Sequence, residues 1–205
     1  YFPDSKADLY SVFMEVCTDF TVTGGYVSMI NMQSWMFLAG QEKLRSLLQS
    51  KGSILNMIHL GPGAFPEMVG DVLQTTTFTL RVGATDITGD YIRVTDVRDS
   101  TMKEALSLAA IADENHELRF RASNADFEIF PGKIVAYWAS DAMKKSFLNG
   151  KSLDPNFTHT NTGIMTGDNG RFVRLWWEVP ATKLMTDAED ADFAQESGKK
   201  WFPYN

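Results

Sequence analysis

The chain has 205 residues, 44% hydrophobic and 12% aromatic, which is enough for one large domain or two small ones with ordinary cores. Its only cysteine, Cys17, excludes an internal disulfide framework, and the absence of a signal-peptide pattern and of any membrane-length apolar run predicts a cytoplasmic protein without membrane contact. The formal net charge of −7 disfavours tight nucleic-acid binding by the whole segment, because that binding needs cations to neutralise phosphates.

The first sixty residues alternate between helical and strand patterns. Residues 5–20 carry apolar side chains at helical spacing, which predicts a helix with one core-facing stripe. The apolar segment 26–31, a second helix over 39–50 and a second apolar segment at 54–60 follow. Apolar runs separated by a helix are typical of parallel strands covered on both faces, and ligands bind beyond the carboxyl ends of such strands.

The next strand is expected to reverse direction. The connection over residues 61–71 is short and rich in Gly and Pro, whereas residues 72–82 are strongly strand-like. Two strands joined without a crossover must pair antiparallel, so we expect a reversed strand at the edge of the sheet. One more strand over 87–94 and a helix over 99–112 are predicted, with a domain boundary near this helix.

Sequence motifs give little support for metal or hydrolytic chemistry. The three histidines (His59, His116 and His159) are isolated, there is no HExxH motif, and no paired cysteines or G-x-S-x-G elbow occur. We expect no metal. His59 lies inside an apolar strand, which favours a hydrogen-bonded sheet histidine over a catalytic base.

Three long stretches together carry a family resemblance. DLYSVFMEVCTDFTVTGGYVSMINMQSWMFL, LRSLLQSKGSILNMIHLGPGAFP and VLQTTTFTLR resemble the part of gamma-class adenine-N6 DNA methyltransferases that follows the catalytic loop. GKIVAYWAS, TGDNGRFVRLWWEV and GKKWFPYN are similar to PglX-like adenine methylases of bacterial phage-exclusion (BREX) systems and related type II modification enzymes. The resemblance covers nearly the whole chain.

The resemblance implies an α/β fold, namely the C-terminal half of a Rossmann-like methyltransferase sheet with an antiparallel edge strand. Residues 1–98 are then half of the catalytic domain, and residues 99–205 are a linker helix with the mixed α+β beginning of a target-recognition region. The family's glycine-rich motif for S-adenosylmethionine and its Asn-Pro-Pro-Tyr loop are both absent from this sequence. We therefore expect a piece of a longer enzyme, inactive by itself.

The resemblance also implies candidate site residues. Leu9 and Phe13 match positions that wall the adenine of S-adenosylmethionine, although the same side chains also fit the core stripe of the first helix. Phe65, followed by Pro66, matches the aromatic residue that stacks on the flipped target adenine, which needs a π-face to replace lost stacking.

Other candidates follow from position along the chain. Asn31, Gln33 and Trp35 follow the first strand, where they either line the pocket or serve capping and packing. Basic residues interleaved with aromatic ones towards the C-terminus are candidates for contacts with double-stranded DNA, or belong to an amphipathic strand with a Trp core: Arg171, Arg174, Lys199 and Lys200.

Two functions of different class remain open at this point. The first is part of a site-specific adenine-N6 DNA methyltransferase that uses S-adenosylmethionine in restriction-modification or phage defence, with other defence-system proteins as further candidate partners. The second is a non-catalytic α/β scaffold or interaction module of a defence complex. The parent sequence before Tyr1 discriminates between them, because only the enzyme needs the two missing motifs.

Overall fold

The computed structural model describes residues 2–6, 8–65, 73–151, 166–188 and 191–204. The chain divides into two compact units, a first unit of residues 1–150 and a second unit of residues 151–205. The predicted functional boundary lies elsewhere, at residue 98. The helix and strand that follow that position belong to the first unit, so its compact body extends well beyond the predicted catalytic half.

The first unit combines helices with one mixed sheet, which confirms the predicted α/β class. Its helices are α1 (Leu9–Phe20), α2 (Glu42–Lys51), α3 (Ser100–Ala112), α4 (Asn124–Glu128) and α5 (Asp141–Asn149). Its strands are β1 (Tyr26–Met32), β2 (Gly52–Gly61), β3 (Thr75–Val82), β4 (Gly89–Arg93) and β5 (Arg119–Ala122).

The strands are arranged in the order β1-β3-β2-β4-β5. Strand β3 pairs antiparallel with both β1 and β2, so β1 and β2 run in the same direction, and β4 pairs parallel with β2. The predicted reversal of β3 is therefore correct, but its predicted place at the edge is wrong. A short β2–β3 connection dictates antiparallel pairing without dictating which side of β2 is used, and β4 occupies the other side.

The buried face of α1 also differs from the predicted one. The side chains that face inward are Ser11, Met14 and Thr18, whereas Leu9 and Phe13 are exposed. The polar residues of the buried face are satisfied locally, since the Ser11 hydroxyl donates to Gln41 Oε1 at 3.1 Å and the Thr18 hydroxyl donates to the Met14 carbonyl at 2.7 Å. The predicted helix is therefore present, but its apolar stripe is not the face that packs against the core.

Two apolar layers cover the sheet. On one face a large cluster includes Trp35, Leu44, Met57, Phe78 and Tyr91. On the other face, α3 brings Ala110 against Ile92 and Val94. The second layer spans β2 and β4, and this packing fixes the place where these two parallel strands leave the sheet.

The second unit is described by short elements. These are α6 (Asn169–Phe172), α7 (Ala191–Glu196) and 3₁₀ turns at Trp176–Glu178 and Ala181–Lys183. Asp168 caps α6 by accepting a hydrogen bond from the Arg171 amide at 3.0 Å. Among the helices that the structure describes in either unit, none is long and apolar enough to cross a membrane.

Candidate functional site

The carboxyl ends of β1, β2 and β4 meet at one edge of the sheet, which we call the carboxyl edge. This follows from the pairing, because β1 and β2 are both antiparallel to β3 and β4 is parallel to β2. The residues after β1 and the turn Gly61–Phe65 after β2 both begin there. The shared edge that the sequence predicted for these two segments is thus present, with β3 between the two strands.

A directed chain of hydrogen bonds joins the segment after β1 to β2 and to the residue before β3. His59 Nε2 lies 2.6 Å from Gln33 Oε1, and Gln33 Nε2 donates to Gln74 Oε1 at 2.5 Å. Since an amide oxygen only accepts, His59 carries its proton on Nε2, and Nδ1 therefore accepts from the Tyr137 hydroxyl at 2.8 Å. Every polar group of the His59 ring is satisfied.

The same surroundings keep His59 neutral. Burial, followed by the nearby charges of Arg93 and Lys103, lowers the pKa of His59 to about 4. Its ring also lies among aromatic side chains, with centroids 5.9 Å from Phe37 and 6.0 Å from Tyr137. The prediction that His59 is a hydrogen-bonded sheet histidine agrees with this geometry.

Phe65 lies at the end of the turn that follows β2. Phe65 is 39% exposed, so part of its ring is open to solvent. The turn is held close to the segment after β4, because a Cβ on Gly63 would lie 2.3 Å from the Arg98 carbonyl oxygen. Phe65 therefore follows a turn that is packed closely against the segment after β4 at the carboxyl edge. Pro66 lies outside the described residues.

The first turn of α1 is tied to the segment after β1. The Tyr10 hydroxyl lies 2.9 Å from the Ser34 hydroxyl, and Gln41 Nε2 donates to the Tyr10 hydroxyl at 3.3 Å. Leu9 and Phe13, 70% and 54% exposed, therefore project from a helix whose first turn is fixed beside the carboxyl edge. No described ring contact joins Phe13 to Phe65.

The three candidates predicted to follow the first strand have different environments: Asn31 lies within β1, paired with Thr76, and only Gln33 and Trp35 follow the strand. Trp35 is 2% exposed and packs on Phe78 with ring centroids 5.4 Å apart, which favours the packing alternative. Gln33 is held by His59 and Gln74. Asn31 is 8% exposed, and its Nδ2 donor finds no hydrogen-bond partner within the described part of the chain.

The second unit presents cations beside aromatic rings, of which Phe172 is exposed and Trp201 is partly buried. The Arg171 guanidinium lies 5.0 Å from the Phe172 ring centre, and Arg174 and Lys200 lie 5.9 Å and 5.4 Å from the Trp201 ring centre. Arg171, Phe172, Arg174, Lys200, Trp201 and Tyr204 line part of a cavity of about 600 Å³. Two of the cations also bond the main chain: Lys199 Nζ donates to the Thr182 carbonyl at 2.6 Å, and Arg174 Nη1 donates to the Gly170 and Val173 carbonyls at 2.9 and 2.6 Å.

The alternative of an amphipathic strand with a tryptophan core does not fit this region. Trp176 and Trp177 form a short 3₁₀ turn and are 77% and 64% exposed. Their rings pack edge to face with each other at 5.6 Å.

In the described part of the chain, no group of three or more His, Cys, Asp or Glu side chains is placed to hold a metal ion.

Sequence reasoning missed two residues at the carboxyl edge. Tyr137 lies 78 positions from His59 in a segment without periodicity, and Lys103 reads as an ordinary helix residue. Lys103 is 2% exposed and donates to two strand-end carbonyls. Neither residue carries a local sequence signal, because each acts through long-range contacts.

Comparisons with known proteins agree on one class, the restriction-modification and related adenine methylases. Residues 1–65 match the family model of the Eco57I restriction-modification methylase. The chain is 35% identical over 208 residues to the adenine-specific methyltransferase PglX of Lacticaseibacillus casei (strain Zhang), covering 100% of this chain and 17% of that protein. It is 32% identical over 204 residues to the adenine-specific methyltransferase BrxX of Escherichia coli O9:H4 (strain HS), covering 98% and 16%.

This chain is similar to PglX and BrxX over nearly its whole length, and the family resemblance that the sequence predicts is confirmed. It spans about a sixth of the length of the curated relatives it matches. A type I restriction-modification methyltransferase subunit from Streptococcus thermophilus is similar in structure, with a TM-score of 0.39, 16% identity, and coverage of 51% of this chain and 24% of that one.

Proposed function

We propose that this chain is part of a DNA methyltransferase that transfers a methyl group from S-adenosylmethionine to N6 of an extruded adenine in restriction-modification or phage defence. The relatives named as adenine-specific methyltransferases support the reaction type. The observation that carries the proposal is an exposed phenylalanine, Phe65, on an anchored turn at the carboxyl edge of the sheet.

The residues near the carboxyl edge fit the cofactor in two respects. Leu9 and Phe13 offer exposed apolar surface beside the segment after β1, which suits the faces of an adenine ring. The Asn31 Nδ2 donor has no partner among the described residues and is available to a polar group of a ligand. When bound, S-adenosylmethionine supplies the methyl group for transfer.

Phe65 is the proposed contact for the target base. An adenine must leave the duplex before its N6 is reached, and this loses the stacking energy of its neighbours. An aromatic side chain at the carboxyl edge replaces that stacking with its own π-face. The hydrogen bonds of Gln33 with His59 and Gln74 then hold the segment after β1 at a fixed distance from β2 at the carboxyl edge.

Double-stranded DNA is the proposed macromolecular partner. The net charge of −7 disfavours a wide contact, so the cations of the second unit would make a local one. Arg171 lies on the exposed ring of Phe172, and Arg174 and Lys200 lie on the partly buried ring of Trp201, an arrangement that offers phosphate contacts beside stacking surfaces. Lys199 and Arg174 each also donate to backbone carbonyls.

The proposed activity requires more protein than this chain. The given sequence contains neither a glycine-rich cofactor motif nor an Asn-Pro-Pro-Tyr loop. In the described sheet β1 is an edge strand, and Tyr26 and Ile30 on it are 61% and 59% exposed. An open apolar edge of this kind suits pairing with further strands, which the much longer relatives have the length to supply.

The test is Phe65→Ala in the full-length protein. Stacking of one base is worth about 1–3 kcal/mol, so methylation should slow by roughly 5- to 150-fold. Fluorescence of 2-aminopurine at the target position should fall in parallel, because less of the base is extruded. Phe20→Ala is the matched control, since Phe20 is 84% exposed at the far end of α1. Unchanged methylation in Phe65→Ala would reject the assignment.

A further inference from the structure

A buried lysine lies directly behind the turn that carries Phe65. Lys103, in the first turn of α3, is 2% exposed. Its amino group donates to the carbonyl of Leu60 in β2 and, at 2.7 Å, to the carbonyl of Val94 just after β4. A lysine so fully buried is rare in proteins unless its donors are satisfied, as these are by two strand-end carbonyls.

These two carbonyls mark the point where the parallel ladder ends. The pairing of β2 with β4 runs from Asn56↔Asp90 to His59↔Arg93, and the Val94 amide still donates to the His59 carbonyl at 3.0 Å. Beyond that point β2 no longer pairs with β4, although Gly61 at its end still pairs with Thr75 of β3. Lys103 bridges the two parallel strands there, just before the turn begins.

Two glycines bring the turn onto the same segment. Gly61 has φ +66°, and a Cβ on it would lie 2.9 Å from the Thr95 Cα. Gly63 has φ +77°, and a Cβ there would lie 2.3 Å from the Arg98 carbonyl oxygen. Both positions need glycine for its backbone conformation and for the close approach. Residues 94–103 therefore form a shelf that supports the turn at three points.

We propose that Lys103 is a positioning residue that, through this shelf, fixes the turn Gly61–Phe65 in the orientation that presents Phe65 to an extruded base. The inference rests on the proposed function for its catalytic consequence, while the positioning itself is a property of the fold. Lys103 lies in the interior and touches neither base nor cofactor. Its effect reaches the reaction only through the turn.

The experiment uses Lys103→Met and Gly63→Ala in the full-length protein. Lys103→Met keeps the length of the side chain but removes the donors, and Gly63→Ala pushes the turn off the shelf without changing the lysine. Lys145→Met on the exposed face of α5 is the matched control for the first. Gly40→Ala is the control for the second, since a Cβ there meets nothing within 4 Å.

Hydrogen exchange of the amides in residues 60–65 measures the positioning without reference to activity. Both variants should exchange there at least about tenfold faster than the wild type, with β1 and β3 unchanged and both controls silent. Unchanged exchange in residues 60–65 overturns the inference. If Lys103→Met does not fold, Lys103→Gln, which keeps an amide donor but is too short to reach both carbonyls, takes its place, and unchanged exchange in residues 60–65 of that variant overturns the inference.

Steady-state kinetics then tests the link to the reaction. The kcat for adenine methylation should fall about tenfold or more in both variants, while KM for S-adenosylmethionine stays within about twofold, because only base presentation is disturbed. An equal loss of cofactor affinity, or an unchanged kcat, overturns the inference. A wild-type protein that does not methylate adenine would instead reject the proposed function, and the exchange data would still decide the role of Lys103.

Discussion

Basic side chains have opposite environments in the two units. In the first unit, Arg45 and Lys103 are 1% and 2% exposed and donate to backbone carbonyls. In the second, Arg174 and Lys200 are exposed and lie over the ring of Trp201. Arg174 also donates to the Gly170 and Val173 carbonyls at 2.9 and 2.6 Å, so what distinguishes the two pairs is burial: the buried cations face only the main chain, whereas the exposed ones keep a surface that a ligand can reach.

Aromatic side chains show the same division. Tyr91 and Tyr137 are buried, stacked at 4.8 Å in the core of the first unit, whereas Trp176 and Trp177 of the second unit are mostly exposed. Exposure also varies within the first unit, where Phe13 and Phe65 are 54% and 39% exposed, so burial separates packing residues from candidate binding residues in both units. The amino-acid type of an aromatic residue does not show whether it packs in a core or binds a ligand. The difference in burial therefore has to be tested by substitution.

The largest effect is expected from removing the buried arginine of the first unit. Arg45 donates to the carbonyls of Gly132, Trp35 and Leu38 at 2.7, 2.9 and 2.8 Å. Arg45→Met leaves these acceptors without their donor, which should lower the free energy of unfolding by about 3–5 kcal/mol. Urea denaturation followed by circular dichroism measures this loss.

Lys43→Met is the control on the same helix, because the Lys43 side chain is 74% exposed and lies 3.9 Å from Asp4. That variant should change stability by less than about 0.5 kcal/mol. Equal destabilisation by both substitutions would contradict the structural role given to Arg45.

His59 should make the first unit sensitive to acid. The pKa of the native ring is lowered from 6.5 to about 4, so between these values the unfolded chain binds a proton that the folded chain does not. Stability from this group is complete above about pH 6.5 and declines towards pH 4. The total loss is about 3 kcal/mol for a shift of this size.

Unfolding measured from pH 7 to pH 4 checks this prediction. His59→Gln has no group that titrates in that range, so its free energy of unfolding should depend less steeply on pH than that of the wild type. Parallel pH profiles for the two proteins would show that His59 is not the acid-sensitive group.

Local patterns predicted much of the first unit because its helices and strands have clear periodicity. The helix predicted over 99–112 is α3, at 100–112, and the strand predicted over 54–60 lies inside β2. Strand reversal after β2 also followed from connection length alone. The position of β3 did not, since neighbour order depends on pairing between distant segments.

The first helix shows where apolar pattern and burial separate. Met14 is 1% exposed while Phe13 beside it is 54% exposed, although both are large and apolar. The buried face accepts Ser11 and Thr18 because their hydroxyls find partners, and this cannot be read from spacing. Gln33, His59 and Tyr137 lie far apart in the sequence and come into contact only in the folded chain, so no local pattern could predict their hydrogen bonds.

The smallest effect tests the other side of the comparison, the exposed cations of the second unit. If Arg174 and Lys200 contact phosphates, Arg174→Gln and Lys200→Gln in the full-length protein should each weaken DNA binding about equally on all sequences. Each should also reduce the slope of log affinity against log salt by about 1, because one fewer counterion is released.

Fluorescence anisotropy over a range of salt concentrations measures that slope. Lys145→Gln, an exposed lysine of the first unit outside the proposed DNA contact, supplies the baseline. If all three variants keep the wild-type slope, exposure over a ring does not mark a phosphate contact in this protein. If only the two second-unit variants lower it, the exposed cations bind DNA, in contrast to the structural role of Arg45.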